Sequence, residues 1–130
     1  MNNCCCGGKK PLEIKIKKGE SLGFAFNLLQ NGEPVDLTGN QILLQVRENI
    51  IDDETYIISK TITENSDPDD VGQINDAAKG QFFFKINADD IDDMSTTKPY
   101  YFAIYRINGD LVHCISAKYF QTALFLVLNP

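Results

Sequence analysis

The sequence lacks several features on which common protein functions depend. No apolar run reaches the roughly 18 residues that a membrane-spanning helix needs. No hydrophobic stretch precedes the cysteines of MNNCCCGGKK, as a secretory or lipoprotein signal would require. Lysine and arginine number 12 against 18 acidic residues, so the net charge of −6 gives no basic footprint for nucleic acid. We expect a protein made and folded in a cytoplasm, with neither a membrane nor a nucleic acid as its partner.

Recognisable catalytic and cofactor-binding motifs are also absent. The sequence has no glycine-rich phosphate loop, no nucleophile elbow and no zinc-protease helix. His113 is the single histidine, and it cannot activate Cys114 because adjacent residues of a strand point to opposite faces. The run from Asp67 to Gly72 begins like a calcium loop but lacks the fifth-position ligand and the closing glutamate. The sequence therefore predicts a protein that is not an enzyme and has no cofactor.

Cysteine is scarce, and its placement is unusual. Three of the four cysteines, Cys4, Cys5 and Cys6, are consecutive, and the fourth is Cys114. A zinc site favours ligands spaced as C-x₂₋₄-C, whereas consecutive side chains diverge. We interpret residues 1–10 as a flexible arm that contacts another subunit. Metal binding, intermolecular disulfides, acylation and disorder are the alternatives.

What the sequence does contain is apolar residues at every second position. At 130 residues the chain is long enough for one domain with a real core. Apolar patterns predict strands at 12–17, 22–28, 41–47, 55–63, 81–86, 100–107 and 111–120. The apolar run 123–128 is either a final strand or a segment donated to a neighbour. The polar segment 64–78 is expected to be a long exposed loop.

Two further features complete the predicted fold. Ile91 and Met94 are expected to anchor a single helical turn over 88–94, with solvent-exposed aspartates around them. Asn108-Gly109-Asp110 predicts a hairpin turn. No segment is long enough to supply the helices of an α/β fold. We predict an all-β protein: an immunoglobulin-like antiparallel β-sandwich of about seven strands with one short helical turn. The sandwich would span residues 11–120, and residues 121–130 would form a last strand or an arm donated to a neighbour.

Aromatic residues are concentrated in two of the predicted strands, Phe82 to Phe84 and Tyr100 to Tyr105. Alternation directs half of each set into the core, and a single sandwich has no layer to cover the other half. An exposed aromatic strip of this kind is typical of a docking surface. The candidate interaction residues are Cys4, Cys5, Cys6, Phe83, Tyr101, Tyr105 and Phe125.

The order of the segments resembles a known kind of module. The segments are IKIKKGESLGFAFNL, NGEPVDLTG followed by ILLQVR, then GQFFFKI, ADDIDDM and PYYFAIYRINGD. Together they are similar to small immunoglobulin-like modules of tailed bacteriophages, and most of all to the N-terminal domain of phage baseplate upper proteins. The resemblance covers about residues 13–120, and the PVDLTG–strand–Arg element is its most specific part. It implies attachment of a receptor-binding apparatus to the tail, and it carries no catalytic residues.

Composition and resemblance together favour a non-enzymatic structural protein of the virion, made in the host cytoplasm. It would be a capsid decoration protein, a head-fibre anchor or a tail or baseplate adaptor. Its partners would be capsid, fibre or tail subunits and further copies of itself. The alternative is a soluble carbohydrate- or ligand-binding sandwich that uses Tyr101 and Tyr105. A metal- or redox-responsive protein working through Cys4 to Cys6 is a third hypothesis.

Overall fold

The computed structural model describes residues 10–48, 56–115 and 120–130. Most of the predicted N-terminal arm, including Cys4, Cys5 and Cys6, therefore lies outside the described residues. Within the described ranges the strands are β1 (Lys10–Lys17), β2 (Leu22–Asn27), β3 (Leu29–Gln30), β4 (Glu33–Pro34), β5 (Gln41–Arg47), β6 (Ile58–Ile62), β7 (Gly72–Asp76), β8 (Gln81–Ile86), β9 (Tyr100–Asn108), β10 (Leu111–Cys114) and β11 (Phe120–Leu128). Two short 3₁₀-helices lie at Ala77–Lys79 and Ala88–Ile91.

The strands form two sheets and a small hairpin. The larger sheet has the order β1-β11-β9-β5-β6, with β10 also paired to β9. The smaller sheet has the order β2-β8-β7, and β3 pairs with β4. One apolar cluster draws its buried residues from both sheets. The predicted all-β sandwich is confirmed, and so is the helical turn, which is a 3₁₀-helix at Ala88–Ile91.

Alternation in the strands builds the core as the sequence predicts. On β8, Phe82 and Phe84 are 2% and 0% exposed, and they alternate with half-buried neighbours. Their rings meet those of β2 on the same face: Phe26 lies 5.5 Å from Phe82 and Phe24 lies 6.0 Å from Phe84, centroid to centroid. Such aromatic pairs add to the free energy gained from the buried area alone. The smaller sheet is therefore attached to the core chiefly through phenylalanine.

The PVDLTG segment is a turn that carries a core residue. Leu37 is fully buried, and its backbone N–H donates to the carbonyl of Ala77 at 2.9 Å. The carboxylate of Asp36 accepts hydrogen bonds from Thr38 N at 2.9 Å and from Thr38 Oγ1 at 2.6 Å. This local ring of bonds is the Asx-type turn that aspartate favours. The segment thus fixes the entry to β5 at one end of the sandwich.

The final strand differs in direction from the antiparallel pattern that we expected. β11 pairs in parallel with β1, from Lys10↔Phe120 to Lys17↔Leu128, and antiparallel with β9 at Phe125↔Tyr100. The β1–β11 pair is therefore a parallel exception in a sandwich whose other strand pairs are antiparallel among the described residues. Of the two alternatives for residues 121–130, the observed one is a strand paired within the same chain.

The polar segment 64–78 is not a loop throughout. Its second half forms β7, which pairs with β8, and Ile74 and Ala77 are only 3% and 8% exposed. Isolated apolar residues in a run of Asp, Asn and Gly give too weak an alternation to indicate a strand. Pairing with the aromatic strand β8 overrides that weak local preference.

Candidate docking surfaces

The outer face of the larger sheet carries a second cluster of buried side chains. We call Leu43, Gln45, Arg47, Ala103 and Tyr105 the outer-face cluster. Register pairs Leu43 with Tyr105 and Gln45 with Ala103, so side chains from β5 and β9 share this face. All five residues are 8% exposed or less. The larger sheet is therefore buried on both of its faces along β5 and β9.

A charged group organises the outer-face cluster. Arg47 Nη2 donates to Gln45 Oε1 at 2.6 Å and to Tyr105 Oη at 2.8 Å. The Arg47 guanidinium carbon also lies 5.9 Å from the centroid of the Tyr105 ring. A buried guanidinium requires such partners, because burying a charge without them costs several kcal/mol. Arg47 closes the PVDLTG–strand–Arg element, so this arginine orients a tyrosine of the neighbouring strand.

The exposed fractions of the side chains show which of the predicted interaction residues lie at the surface. Tyr105 is 1% exposed, so the expectation that it belongs to an exposed surface is wrong, and Phe125 of the predicted terminal segment is 0% exposed within this chain. Tyr105 packs against its own outer-face cluster, and Phe125 lies in the main core. Phe83 and Tyr101 are half-buried. The part of these residues in binding stays a prediction.

Phe83 stands on the outer face of the smaller sheet. Its cross-strand partners are Ala25 on β2 and Gln73 on β7, and Gly23 lies opposite Lys85 one pair further along. Gly23 and Ala25 are exposed and have little or no side chain. The outer face of the smaller sheet is thus flat next to β2, as the small residues of that strand indicate.

The His113–Cys114 pair is arranged as the strand alternation predicts. His113 is exposed and paired with Arg106, whereas Cys114 is half-buried, paired with Tyr105, and contacts the outer-face cluster. Cys114 is disulfide-bonded, so its sulfur is not a free thiol. The other cysteines of the chain lie outside the described residues.

An ion pair holds the two sheets together at one side of the sandwich. Lys60 is on the core-facing side of β6 and is 7% exposed. Its Nζ lies 2.8 Å from Asp90 Oδ2 and donates to the carbonyl of Asp70 at 3.0 Å. Asp90 also accepts a hydrogen bond from the backbone N–H of Asn87 at 2.8 Å. These bonds compensate one another, so the arrangement is a structural clamp.

The sequence did not indicate two exposed apolar residues at the tip of the β9–β10 hairpin. Leu111 and Val112 are 60% and 44% exposed. A mixed apolar and turn sequence such as INGDLV indicates a hairpin without showing how far it projects from the sheet.

Among the described residues, no three His, Cys, Asp or Glu side chains converge as metal ligands would. No helix in these ranges has the length and apolarity to cross a membrane.

Comparison with known proteins finds a similar fold in one solved phage domain. No protein-family model matches the chain, and no curated protein matches it. Among solved structures, the chain is similar to the N-terminal domain of phage TP901-1 ORF48, with a TM-score of 0.50 and 14% sequence identity. The match covers 95% of this chain and 92% of that chain. The fold is therefore that of a phage protein's N-terminal domain, in agreement with the resemblance in the sequence.

Proposed function

We propose that this chain is a structural component of a phage particle and acts by docking to other proteins of the particle. The observation that carries the proposal is the structural similarity to a phage domain across 95% of the chain and 92% of that domain. A shared hairpin or a single sheet could not produce such coverage. The order of sequence segments, from IKIKKGE to YRINGD, independently favours the same class of protein.

The contacts of the two buried cations, Arg47 and Lys60, support a scaffold role. Arg47 binds Gln45 and Tyr105, and Lys60 binds Asp90. Each cation therefore connects neighbouring strands or neighbouring sheets. Groups committed in this way stiffen a domain, and a rigid domain loses little conformational entropy when it docks.

The resemblance to baseplate upper proteins favours a tail or baseplate adaptor over a capsid decoration protein or a head-fibre anchor. In that role the domain would attach to a tail subunit and present a receptor-binding apparatus. The burial of Tyr105 argues against the carbohydrate-binding alternative, since this residue is 1% exposed and its hydroxyl accepts a hydrogen bond from Arg47. A buried ring cannot serve as a platform for a sugar.

Mass spectrometry of gradient-purified particles tests the proposal. Heads and tails are separated after purification, and each fraction is digested and quantified against a major head protein and a major tail protein. We expect peptides of this chain to follow the tail protein. Recovery with the heads would favour a decoration protein or a head-fibre anchor. Absence from intact particles would contradict a structural role.

A further inference from the structure

The edges of the two sheets are not equally protected. A free edge strand can pair with another chain, and proteins usually prevent this with charges, bulges or a covering element. β1 exposes Glu13, Lys15 and Lys17, which oppose uncontrolled pairing. On the other side of the sandwich, β7 has an irregular register between Gln73 and Asp76. Charged side chains thus protect the edge strand β1 from pairing with another chain, and an irregular register protects β7.

The edge strand β6 is joined to the other sheet. The N–H of Ile74 on β7 donates to the carbonyl of Thr63, directly after β6, at 3.0 Å. The Lys60–Asp90 ion pair ties the middle of β6 to the 3₁₀-helix that follows β8. This side of the sandwich is therefore partly closed by bonds within the chain.

β2 has none of these protections. Its sequence, LGFAFN, contains no charged residue and no proline. It pairs with β8 in unbroken register from Leu22↔Ile86 to Asn27↔Gln81 and has no second strand neighbour among the described residues. An uncharged, regular and apolar edge is the kind of strand that pairs with another chain.

The direction of the backbone groups on β2 follows from the bonds of β8. The N–H of Lys85 donates to Val71 O at 3.0 Å, toward the β7 side of β8. Because the two sides alternate along an antiparallel strand, Phe84 and Phe82 direct their backbone groups toward β2. The backbone groups of Phe24 and Phe26, their register partners, are then used within the sheet.

The intervening residues Gly23, Ala25 and Asn27 consequently direct their N–H and C=O groups toward the open edge. No described residue forms a backbone hydrogen bond with these groups. The inward side chains of the same strand, Phe24 and Phe26, remain half-buried although they contact the core. The edge therefore combines free hydrogen-bonding groups with partly exposed aromatic rings.

We propose that β2 pairs with β2 of a second copy of this chain, antiparallel and about a twofold axis near Ala25. Only registers that bring outward-facing residues together can form the bonds. Centred on Ala25, such a register places Ala25 opposite its own copy, Gly23 opposite Asn27, and Phe24 opposite Phe26. The two smaller sheets would join into one sheet of six strands.

The absence of charge on β2 favours a second copy of this chain as its partner at the open edge. In a twofold contact every charge near the axis meets a like charge, which is unfavourable in directly opposed strand pairs. β2 carries no charge, so it meets its own copy without repulsion. The opposed Phe24 and Phe26 rings would form two equivalent aromatic pairs, which stabilise a sheet.

The contact would be weak between free molecules. Three outward residues on each strand bury far less than the roughly 1,000 Å² expected of a stable interface. It would become effective where other contacts hold several copies close together, since a high effective concentration replaces intrinsic affinity. In this sense the inference deepens the proposed function, although self-association is measured without any particle.

Sedimentation velocity of the full chain over an approximately hundredfold concentration range, combined with amide exchange by NMR, tests the proposal. We expect concentration-dependent dimers, in which the amides of Gly23 and Ala25 exchange several-fold more slowly at high concentration. The amides of Phe24 and Phe26 should be protected at every concentration. A monomer throughout, with no change at Gly23 and Ala25, would overturn the proposal.

Charged substitutions at Ala25 locate the contact. Ala25→Lys and Ala25→Asp each place like charges opposite one another, so each variant alone should associate at least about tenfold more weakly. An equimolar mixture of the two should recover association, because the charges then attract. The exposed Asn75 on β7 supplies a control, Asn75→Lys, which should associate like the unaltered chain.

These variants also separate the outcomes. Circular dichroism checks that each variant is folded, and Ala25 is exposed, so both side chains have room. Dimers that persist unchanged in Ala25→Lys would place the contact on another surface and overturn the proposal. Dimers without any incorporation into particles would leave the β2 contact standing and contradict the proposed function alone.

Discussion

Lys60 Nζ lies 2.8 Å from Asp90 Oδ2. This contact joins β6, an edge strand of the larger sheet, to the 3₁₀-helix that follows β8 of the smaller sheet. The lysine side chain is 8% exposed and the aspartate side chain 26% exposed. Lys60 lies on the same face of β6 as the core residues Ile58 and Ile62. A cation in this position is tolerated because the carboxylate of Asp90 and the carbonyl of Asp70 accept hydrogen bonds from it.

Removing the carboxylate should cost more stability than removing the amine. Asp90→Ala leaves a buried cation with one neutral acceptor and also removes the acceptor of Asn87 N, so we expect a loss of about 2–4 kcal/mol. Lys60→Met keeps an apolar stem in the core and should cost about 1 kcal/mol or less. Denaturant unfolding measures both values. Asp93→Ala, an exposed acid in the same segment, is the control and should be near neutral.

The hydroxyl of Tyr105 should stabilise the outer-face cluster. Tyr105→Phe removes an acceptor 2.8 Å from Arg47 Nη2 but keeps the ring. We expect the free energy of unfolding to fall by about 1–2 kcal/mol, the usual effect of losing a buried hydrogen bond to a charged group. Thermal unfolding is the measurement, with Tyr101→Phe on the same face of β9 as the control. Equal effects of the two substitutions would contradict the assigned role of the Arg47–Tyr105 bond.

Two glycines with positive φ should respond differently to alanine. Gly72 has φ +107°, and a Cβ placed there would lie 2.7 Å from the Cα of Phe84, a backbone atom that cannot move aside. Gly109, in the hairpin turn, has φ +61° and no heavy atom within 4 Å of such a Cβ. Gly109→Ala should therefore cost about 1–2 kcal/mol from backbone strain alone. Gly72→Ala should cost clearly more, and similar losses in the two variants would refute the close approach of β7 and β8.

Local sequence signals were enough to predict most of the strands. The aromatic-rich run QFFFKI placed β8 correctly, and Asn108-Gly109-Asp110 predicted the hairpin between β9 and β10. The strand β7 was missed because Ile74 is an isolated apolar residue, and the pairing of β7 with β8 cannot be read from its local sequence. The parallel pairing of β1 with β11 joins the two ends of the domain, so no local pattern could reveal it.

The candidate surface was harder to predict than the fold. Alternation correctly assigned Tyr105 to the outer face of β9 but could not show that this face is buried around Arg47. The open edge of β2 is a property of sheet order, because it depends on which strand has no neighbour. LGFAFN indicates an apolar strand but not its place in the sheet.

The turn at Asp36 should titrate abnormally. Hydrogen bonds from the Thr38 side chain, and then from its backbone N–H, hold the pKa of the Asp36 carboxyl below its ordinary value of 3.8. A depressed carboxyl pKa contributes stability above the unfolded pKa and loses it as pH falls through the folded pKa. Thr38→Val removes the hydroxyl donor, so NMR titration should show the pKa of Asp36 rising toward 3.8. Thr61→Val on β6 is the control, and an unchanged pKa in Thr38→Val would contradict the assigned cause.

Immunogold electron microscopy of intact purified particles tests the structural role most directly. Antibodies against the folded chain are applied to particles from the native host and to particles made after deletion of its coding sequence. We expect several gold labels at one fixed place on the tail of each native particle, and none on the deletion particles. Native particles without label, in a preparation whose isolated chain binds the same antibody, would contradict it.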